Sequence, residues 1–201
     1  IWIGTMGNGM YILNSKTSTI RHMNELSGNE TMSILSMSGR NKTIYISGLQ
    51  GIYKAVVQNG QFIFENLTLL SGIGVSYIYH IYEDSKGRVW FATDGKGLAM
   101  MQNGVFTHYA ANEGLTSKVV YSVVEDGKGS IWCSGFNNGL FKFNGKTFEH
   151  FGKTEGLPDL DISSLAVDNN GNLFCTGRSG IFLINPVNNT VILPAAERQT
   201  G

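Results

Sequence analysis

Residues Val119–Asp159 read VVYSVVEDGKGSIWCSGFNNGLFKFNGKTFEHFGKTEGLPD, and this stretch decides the fold. The stretch before it, Ile78–Leu115, reads IYHIYEDSKGRVWFATDGKGLAMMQNGVFTHYAANEGL. Both contain, in the same order, Glu-Asp, a glycine after two further residues, an aliphatic residue followed by Trp, and a Gly-Leu pair. Self-similarity at a fixed spacing indicates a fold that is built from repeated units.

Three kinds of anchor residue extend the repeat along the chain with a period close to 42 residues. They are an aspartate in the turn after the first strand, an aromatic residue in the second strand, and a glycine that opens the third strand of each repeat. Their positions are Asp84, Asp126 and Asp168; Trp2, Tyr45, Trp90, Trp132 and Phe174; and Gly9, Gly51, Gly97, Gly139 and Gly180. Three registers that agree on one period indicate a true repeat.

Each repeat predicts four short strands, which we call A to D. In the quoted stretch they are Val119–Glu125, Ser130–Ser134, Leu140–Phe143 and Thr147–Phe151. Asn144-Gly145 suits a tight hairpin because both residues tolerate positive φ. Four strands in 40–45 residues is the period of a propeller blade. A β-sandwich is the main alternative but does not require a 42-residue repeat, and no segment has the 3.6-residue period of a helical solenoid.

The sequence therefore predicts an all-β chain of β-propeller blades, each a four-stranded antiparallel sheet. We expect about four and a half blades of a larger propeller, with seven blades in all. The propeller segment spans residues 1–193 and residues 194–201 form a tail or linker; the partial first blade and the four that follow are 1–28, 29–73, 74–116, 117–159 and 160–193. Because Ile1 and Trp2 already lie within a strand pattern, we expect the chain to be part of a longer protein.

Composition argues against several functional classes. Lys plus Arg and Asp plus Glu both number 15, which gives a formal net charge of zero. A nucleic-acid partner is not expected, because phosphate binding requires a basic excess. No apolar stretch approaches the roughly 18 residues of a membrane span, so we expect no membrane contact within this segment. The absence of a targeting signal leaves the compartment open.

The repeat resembles the two-component regulator propeller repeat. That repeat contains, in order, the motifs Glu-Asp, Gly, Trp and Gly-Leu, and then a Glu-Gly-Leu loop. The residues that carry this resemblance are Glu83-Asp84, Gly87, Trp90, Gly97-Leu98 and Glu113-Gly114-Leu115, and then Glu125-Asp126, Gly129, Trp132, Gly139-Leu140 and Glu155-Gly156-Leu157-Pro158. Unit two departs from it, with Gly39-Arg40-Asn41-Lys42 in place of the acidic turn. The resemblance implies the periplasmic sensor region of a hybrid two-component histidine kinase/response regulator, as in Bacteroidetes, that responds to a carbohydrate.

Residues that suggest catalytic or metal chemistry fall mostly on repeated positions, which favours structural roles. His108 and His150 are 42 residues apart, as are Cys133 and Cys175, and His22 is close to the same position. We expect neither a metal site nor a disulfide, since neighbouring sheets lie about 10 Å apart. The Glu-Asp pairs are expected to cap the turn between strands A and B. His80 differs, because its counterparts are Ser122 and Ser164, so either a packed or a channel-facing histidine fits.

The loops between strands B and C vary most between repeats, and they predict the ligand-binding residues. Strand alternation places them at the same end as the D–A loops, which contribute Asn112, Glu113, Lys153, Glu155 and Asp159. The predicted ligand-binding residues are Asp94, Lys96, Asn137, Asn138, Arg178 and His80. Planar hydrogen-bonding groups beside an aromatic residue suit a sugar.

We thus expect an extracytoplasmic sensor segment without catalytic residues, metal or cofactor. Its expected partners are a small-molecule ligand such as an oligosaccharide, and further blades of the parent chain or a second copy. A protein–protein scaffold and, with less support, a propeller lyase or hydrolase are the alternatives. An enzyme is expected to show a cluster of acid, base or metal ligands that does not repeat.

Overall fold

A computed structural model describes residues 1–23, 34–40, 43–48, 51–59, 61–74 and 77–193. The chain divides into an N-terminal unit, Ile1–His108, and a C-terminal unit that begins at Tyr109. In the described residues all sheets are antiparallel meanders, one of three strands and four of four strands. The predicted all-β fold of propeller blades is confirmed. The predicted boundary at 28/29, the Asn41-Lys42 turn and the tail 194–201 lie outside the described residues.

The N-terminal unit contains the first three sheets. Their strands are β1 (Trp2–Gly4), β2 (Met10–Asn14) and β3 (Thr19–His22); β4 (Ile34–Arg40), β5 (Thr43–Gly48), β6 (Gly51–Gln58) and β7 (Gln61–Asn66); and β8 (Ile78–Glu83), β9 (Val89–Thr93), β10 (Leu98–Gln102) and β11 (Val105–Tyr109), whose last residue belongs to the C-terminal unit. Ile81, Phe91 and Met101 of the third sheet share one buried cluster with Ile52 of the second. The core of this unit therefore lies between consecutive sheets.

The C-terminal unit contains the fourth and fifth sheets. Their strands are β12 (Val120–Glu125), β13 (Ile131–Gly135), β14 (Leu140–Phe143) and β15 (Phe148–Phe151), and then β16 (Ile162–Val167), β17 (Leu173–Gly177), β18 (Gly180–Asn185) and β19 (Thr190–Ile192). The bounds of the fourth sheet lie within one residue of those predicted. A short 3-10 helix, Ala111–Glu113, was not expected from the pattern.

Strand B is the most deeply buried strand of the two best repeats. Every residue of β9 and of β13 is buried, with Trp90 and Trp132 fully enclosed. A strand that is covered on both faces does not need to alternate apolar and polar residues, and β9 and β13 accordingly begin with the unbroken apolar runs Val-Trp-Phe-Ala and Ile-Trp-Cys.

A serine side chain on strand A connects the second sheet to the third and the fourth sheet to the fifth. The Ser36 hydroxyl accepts a hydrogen bond from the Ile81 amide at 2.9 Å, and the Ser122 hydroxyl accepts one from the Leu165 amide at 3.2 Å. These two serines occupy equivalent positions, since each pairs with a serine of strand B across the same bulge. A short polar side chain of strand A thus accepts a hydrogen bond from a main-chain amide of the next sheet.

The turn aspartate holds the A–B turn and strand B together. One carboxylate oxygen of Asp126 accepts the amides of Lys128 and Ser130, each at 2.9 Å, and the other accepts the indole N–H of Trp132 at 2.8 Å. Asp84 does the same with Lys86, Arg88 and Trp90. The predicted capping role is confirmed. In the fifth sheet the Phe174 side chain has no N–H, and the Asn172 side chain instead donates to the other carboxylate oxygen of Asp168 at 2.9 Å.

Two A–B turns of the C-terminal unit touch through their main chains. A Cβ added to Gly127 would lie 2.7 Å from the Cα of Gly171, and one added to Gly171 would lie 2.7 Å from the Cα of Gly127. No real Cβ comes this close to another backbone atom, so any side chain at either position would force the turns apart.

We expect Asp126→Ala to lower the free energy of unfolding by roughly 2–4 kcal/mol, because it leaves a buried indole N–H and two amides without an acceptor. Urea unfolding followed by circular dichroism measures this change. Asp168→Ala is the matched control: its side chain is only half-buried and Phe174 loses no partner, so the loss should be smaller. Equal losses in the two variants would contradict this role for the Asp–Trp bond.

Stability should also depend on the ionisation of Asp84. Burial disfavours the charged carboxylate, but hydrogen bonds from Trp90 and Arg88 and the charge of Arg88 outweigh it, so the pKa of Asp84 lies below its ordinary value. A lowered folded-state pKa contributes stability above the unfolded pKa of about 4, and this is lost as pH falls towards the folded value. We expect Asp84→Asn to be less stable at pH 7 and to lose less stability between pH 5 and pH 2 in urea titrations. Parallel pH curves for the variant and the parent chain would rule this out.

Candidate functional site

The residues that differ most between repeats lie at one end of the blades, where strand B ends and strand A begins. The first residue after strand B is Asp94, Phe136 and Arg178 in successive sheets. The residues at the bulge of strand A are Tyr79, Tyr121 and Ser163, again 42 residues apart. Tyr79 contacts Asp94 and Tyr121 contacts Phe136, whereas the Ser163 hydroxyl hydrogen-bonds with Thr176. We call these three combinations the variable pairs, and the end of each unit that carries them its loop face.

In the N-terminal unit the variable pair is Tyr79 and Asp94. The Tyr79 hydroxyl donates to the Asp94 carboxylate at 3.3 Å, and the Asp94 amide donates to the Tyr77 carbonyl at 2.8 Å. Tyr77 and Tyr79 are 48% and 38% exposed, which is unusual for aromatic residues on or beside an inner strand. Lys96 is exposed nearby on the same loop. The loop therefore offers rings, a carboxylate and an ammonium group to solvent.

His80, a predicted ligand-binding residue, is half-buried on β8. Burial lowers the pKa of its imidazole, so the ring is neutral at pH 7. The equivalent positions hold Ser36 and Ser122, whose hydroxyls bond to a neighbouring sheet. The position is thus a structural one in two other blades, and whether His80 meets a ligand stays a prediction.

In the C-terminal unit the variable pair of the fourth sheet is aromatic. The rings of Tyr121 and Phe136 meet edge to face with centroids 6.0 Å apart, and Phe136 is 49% exposed. Asn137, next in the loop, is exposed and has φ of +48°. Asn138 is turned inward instead: its carboxamide donates to the Thr116 hydroxyl at 2.9 Å. Of the two predicted asparagines, only Asn137 presents its side chain freely to solvent.

The D–A segment brings the loops of the fourth and fifth sheets together. The Gly139 amide donates to the Leu160 carbonyl at 2.9 Å, and the next residue, Asp161, accepts from Arg178 Nε at 2.9 Å. Arg178 is 82% exposed, so this ion pair orients the guanidinium more than it stabilises the fold. The B–C loops of the fourth and fifth sheets therefore both contact residues 160–161 of the D–A segment, the first through Gly139 and the second through Arg178.

Two carboxylates that the sequence placed among the loop candidates have internal partners. Glu113 accepts the Ala110 amide at 2.9 Å and Glu155 accepts the Gly152 amide at 2.6 Å. The bond from Gly152 is the main reason that the pKa of Glu155 lies below its ordinary value. In both copies the following leucine, Leu115 or Leu157, is buried. The Glu-Gly-Leu motif is therefore a capped turn with an apolar anchor.

Asp159 and Lys153 of the same segment are also engaged. Asp159 accepts the amides of Asp161 and Ser179 at 2.9 and 3.0 Å, and Lys153 donates to the Pro158 carbonyl. These residues therefore hold the conformation of the loop face.

The repeated histidines and cysteines have structural surroundings. The Nε2 atoms of His22 and His150 donate to the carbonyls of Asn8 and Asn138 at 3.0 and 2.8 Å. Cys133 and Cys175 are buried free thiols, and burial raises the pKa of both, that of Cys175 to about 12. Within the described ranges, no group of three His, Cys, Asp or Glu side chains is arranged to hold a metal ion.

Sequence reasoning missed the tyrosines of strand A. Tyr121 lies within the predicted strand A, and Tyr79 is its counterpart 42 residues earlier, but a bulge in strand A lies at each of them. Their 42-residue spacing is a usable signal, because the tyrosine is kept in these two repeats while the residue after strand B changes from Asp94 to Phe136.

Comparisons with known proteins agree with this architecture. Residues 72–95 match the family described as Two component regulator propeller, which confirms the resemblance in the repeat that contains Asp84 and Trp90. A comparison with curated protein sequences found no match. Across the described residues, no helix is long and apolar enough to cross a membrane.

The solved structures that share the fold include the following three. Two are extracellular domains of hybrid two-component systems from B. thetaiotaomicron. The first is 23% identical, with a TM-score of 0.81, and the match covers 94% of this chain and 26% of that domain's chain. The second is 19% identical, with a TM-score of 0.65, and the match covers 97% of this chain and 36% of that domain's chain. The third is a catalytically inactive virginiamycin B lyase from Staphylococcus aureus with quinupristin, 14% identical with a TM-score of 0.72 over 96% of this chain and 64% of the lyase. This chain thus spans about a quarter to a third of the two-component proteins' domains.

The Glu-Gly-Leu turns supply a matched pair of variants. Gly114 and Gly156 have φ of +88° and +92°, but a Cβ at Gly114 would lie 2.5 Å from the Phe148 carbonyl oxygen, whereas one at Gly156 meets only Val191 at 3.9 Å. We expect Gly156→Ala to cost about 1 kcal/mol for the left-handed backbone, and Gly114→Ala to cost at least about 2 kcal/mol more, since the clash is with main chain. Thermal and urea unfolding measure both. Equal destabilisation would show that the close approach to Phe148 is relieved without cost.

Proposed function

We propose that this chain is a ligand-binding segment of an extracytoplasmic sensor propeller in a two-component signalling protein, and that its loop face binds a carbohydrate. The observation that carries the proposal is the contrast between the constant turn aspartates and the variable pairs. The same scaffold presents Tyr79 with Asp94, Tyr121 with Phe136, and Ser163 with Arg178. Side chains that differ between repeats of the same fold, and that the fold does not need, are available to bind a ligand.

The chemistry of the C-terminal loop face suits a sugar ring. Phe136 offers an exposed aromatic surface that is held edge to face by Tyr121. Asn137 supplies both donor and acceptor groups, and Arg178 keeps N–H groups beyond the one given to Asp161. Flat apolar faces and planar polar groups side by side match the apolar faces and hydroxyl edges of a pyranose.

The sensor role draws support from the matched repeat and from the two extracellular domains that share the fold. Those likenesses are low in identity, so the signalling role, the periplasmic location and a kinase elsewhere in the protein belong to the proposal. The segment itself acts by binding, not by catalysis. The N-terminal loop face, with Tyr77, Tyr79, Asp94 and Lys96, is a further surface of the same kind.

The test is a thermal-shift screen of the chain against a panel of oligosaccharides, because a ligand that binds only the folded state raises the melting temperature by mass action. We expect one glycan class to raise it. Phe136→Ala should weaken binding of that glycan about fivefold to tenfold through loss of stacking, and Arg178→Ala should weaken it by a similar factor.

Ile192→Ala is the matched control. Ile192 is exposed on the outer strand of the same unit, 48% accessible, and lies away from the loops, so its removal should leave glycan affinity unchanged. No shift across a broad panel would contradict carbohydrate binding and favour a protein scaffold. Equal affinity in the loop variants and the control would place any glycan site elsewhere.

A further inference from the structure

One side of the fifth sheet carries apolar side chains that the described residues leave partly uncovered. Ala166 pairs with Phe174, Phe174 with Leu183, and Leu183 with Ile192, so these four residues form one row across the sheet. A second row on the same side runs from Ser164 through Thr176 to Ile181, since these residues are two positions away along their strands. We define the free face as the side of the fifth sheet that carries Ser164, Ala166, Phe174, Ile181, Leu183 and Ile192.

The free face is accessible to solvent, whereas the other side of the same sheet is closed. Ile181 is 56% exposed and Ile192 is 48% exposed, and the Phe174 side chain between them is half-buried. On the other side, which packs against the fourth sheet, Leu173 and Phe182 are at most 1% exposed. A contiguous apolar surface of this kind marks a contact with another protein surface.

The fourth sheet has an equivalent face, and there the fifth sheet covers it. The equivalent rows consist of Val124, Trp132, Lys142 and Glu149, and of Ser122, Ser134 and Leu140. Trp132, Ser134 and Leu140 are fully buried. Lys142 Nζ donates to the Asn189 side chain of the fifth sheet at 3.1 Å. This interface shows how a sheet that follows in the chain covers such a face.

The outer end of the free face is more apolar than that of the covered face. The last two positions of the row are Lys142 and Glu149 in the fourth sheet, and again a lysine and a glutamate in the second sheet. In the fifth sheet these positions hold Leu183 and Ile192. Charged side chains are well solvated at the outer edge of a sheet, whereas leucine and isoleucine are stabilised when another surface covers them. The free face therefore fits a partner that is apolar at this end as well.

Ser164 supplies an acceptor of the kind that joins one sheet to the next. Ser36 and Ser122 occupy the equivalent bulge positions of strand A, and each hydroxyl accepts a main-chain amide from strand A of the following sheet. Ser164 is exposed, and no described residue donates a hydrogen bond to its hydroxyl. The hydroxyl is thus available to one further main-chain amide.

We propose that the free face binds a further blade of the same parent chain. Strand A of that blade donates a main-chain amide to the Ser164 hydroxyl, as the Leu165 amide does to Ser122. The apolar side chains of the blade cover Phe174, Leu183 and Ile192. The contact is independent of the proposed carbohydrate binding, since the loop face lies at the ends of the strands and the free face lies on the side of the sheet.

Two observations favour the parent chain over a second copy of this chain as the source of the blade. The matched parts of the two extracellular domains are 26% and 36% of those chains, which leaves length for further sheets. A second copy that covered the free face head to tail would leave its own free face uncovered, so the association would continue without an end unless it closed into a ring.

Extension of the chain by one repeat tests the proposal. In the extended chain, a copy of residues 152–193, which contain the fifth sheet and the segment before it, replaces residues 194–201. Leu183→Cys is introduced into the original fifth sheet only, and mass spectrometry follows its reaction with N-ethylmaleimide in both chains. We expect the reaction to be about tenfold or more slower in the extended chain, because the thiol reacts only when the added blade opens.

Val187→Cys is the matched control for coverage. Val187 is 69% exposed in the hairpin between β18 and β19, and the hairpin of the fourth sheet, residues 144–146, stays exposed although the fifth sheet covers that face. Val187→Cys should therefore react at the same rate in both chains.

Ser164→Ala, combined with Leu183→Cys, tests the hydrogen bond. Loss of this acceptor should speed the reaction in the extended chain about fivefold and leave it unchanged in the 201-residue chain. Ser163→Ala is the control, because the Ser163 hydroxyl bonds to Thr176 of its own sheet. Equal effects of the two serine substitutions in the extended chain would overturn the assigned role of Ser164.

Circular dichroism shows whether the added repeat is folded. If it is not, an extension by a copy of residues 110–151, which contain the fourth sheet, carries the same test. Equal reaction rates of Leu183→Cys in the 201-residue chain and in both extended chains would overturn the proposal. So would a reaction in the 201-residue chain that slows as the protein concentration rises, because the free face would then bind a second copy.

Discussion

The carboxylate of the turn aspartate is the group on which each well-formed repeat depends. It accepts two main-chain amides of the A–B turn and, in the third and fourth sheets, the indole N–H of a fully buried tryptophan. The tryptophan fills the space beside the neighbouring sheet, but its one polar atom needs an acceptor there. A single carboxylate therefore holds the conformation of the turn and, by accepting the indole N–H, allows a tryptophan side chain to be buried in the core. Where tryptophan is replaced by Phe174, the second carboxylate oxygen is occupied by Asn172 instead.

Because the turns fix one end of each sheet, the other end is free to vary. The residues after strand B are an aspartate, a phenylalanine and an arginine in successive sheets, yet the strands that carry them superpose in register. The Glu-Gly-Leu turns hold the adjoining D–A segments through internal caps and buried leucines. The residues that vary between sheets are thus different from those that hold the fold together, which is why a likeness in fold to both sensor domains and a lyase is compatible with distinct functions.

Much of the fold was predictable because its signals are local or recur at one period. The strands of the fourth sheet and the role of Asp126 follow from turn chemistry and from alignment of the chain with itself. Part of the candidate site was predictable in the same way: Asp94, Phe136 and Arg178 stand out as the positions that change. The pairing of Phe136 with Tyr121 was not, because it depends on a bulge that exposes one residue of an apolar strand.

Other features depend on packing between sheets and leave little trace in the sequence. Glu113 and Glu155 resemble exposed loop carboxylates until their bonds to Ala110 and Gly152 are seen. A cleft beside Tyr45 is lined by residues of two sheets, and the sequence pattern of either sheet alone does not predict it.

The contact between Gly127 and Gly171 has a consequence for how such a protein diversifies. At that end of the C-terminal unit, the main chains of two neighbouring turns are in direct contact. A side chain in place of either glycine would therefore push the two sheets apart. Repeats that arise by duplication keep this glycine contact. Substitutions can then accumulate at the loop face, and a new binding preference can arise without a change in how the sheets pack.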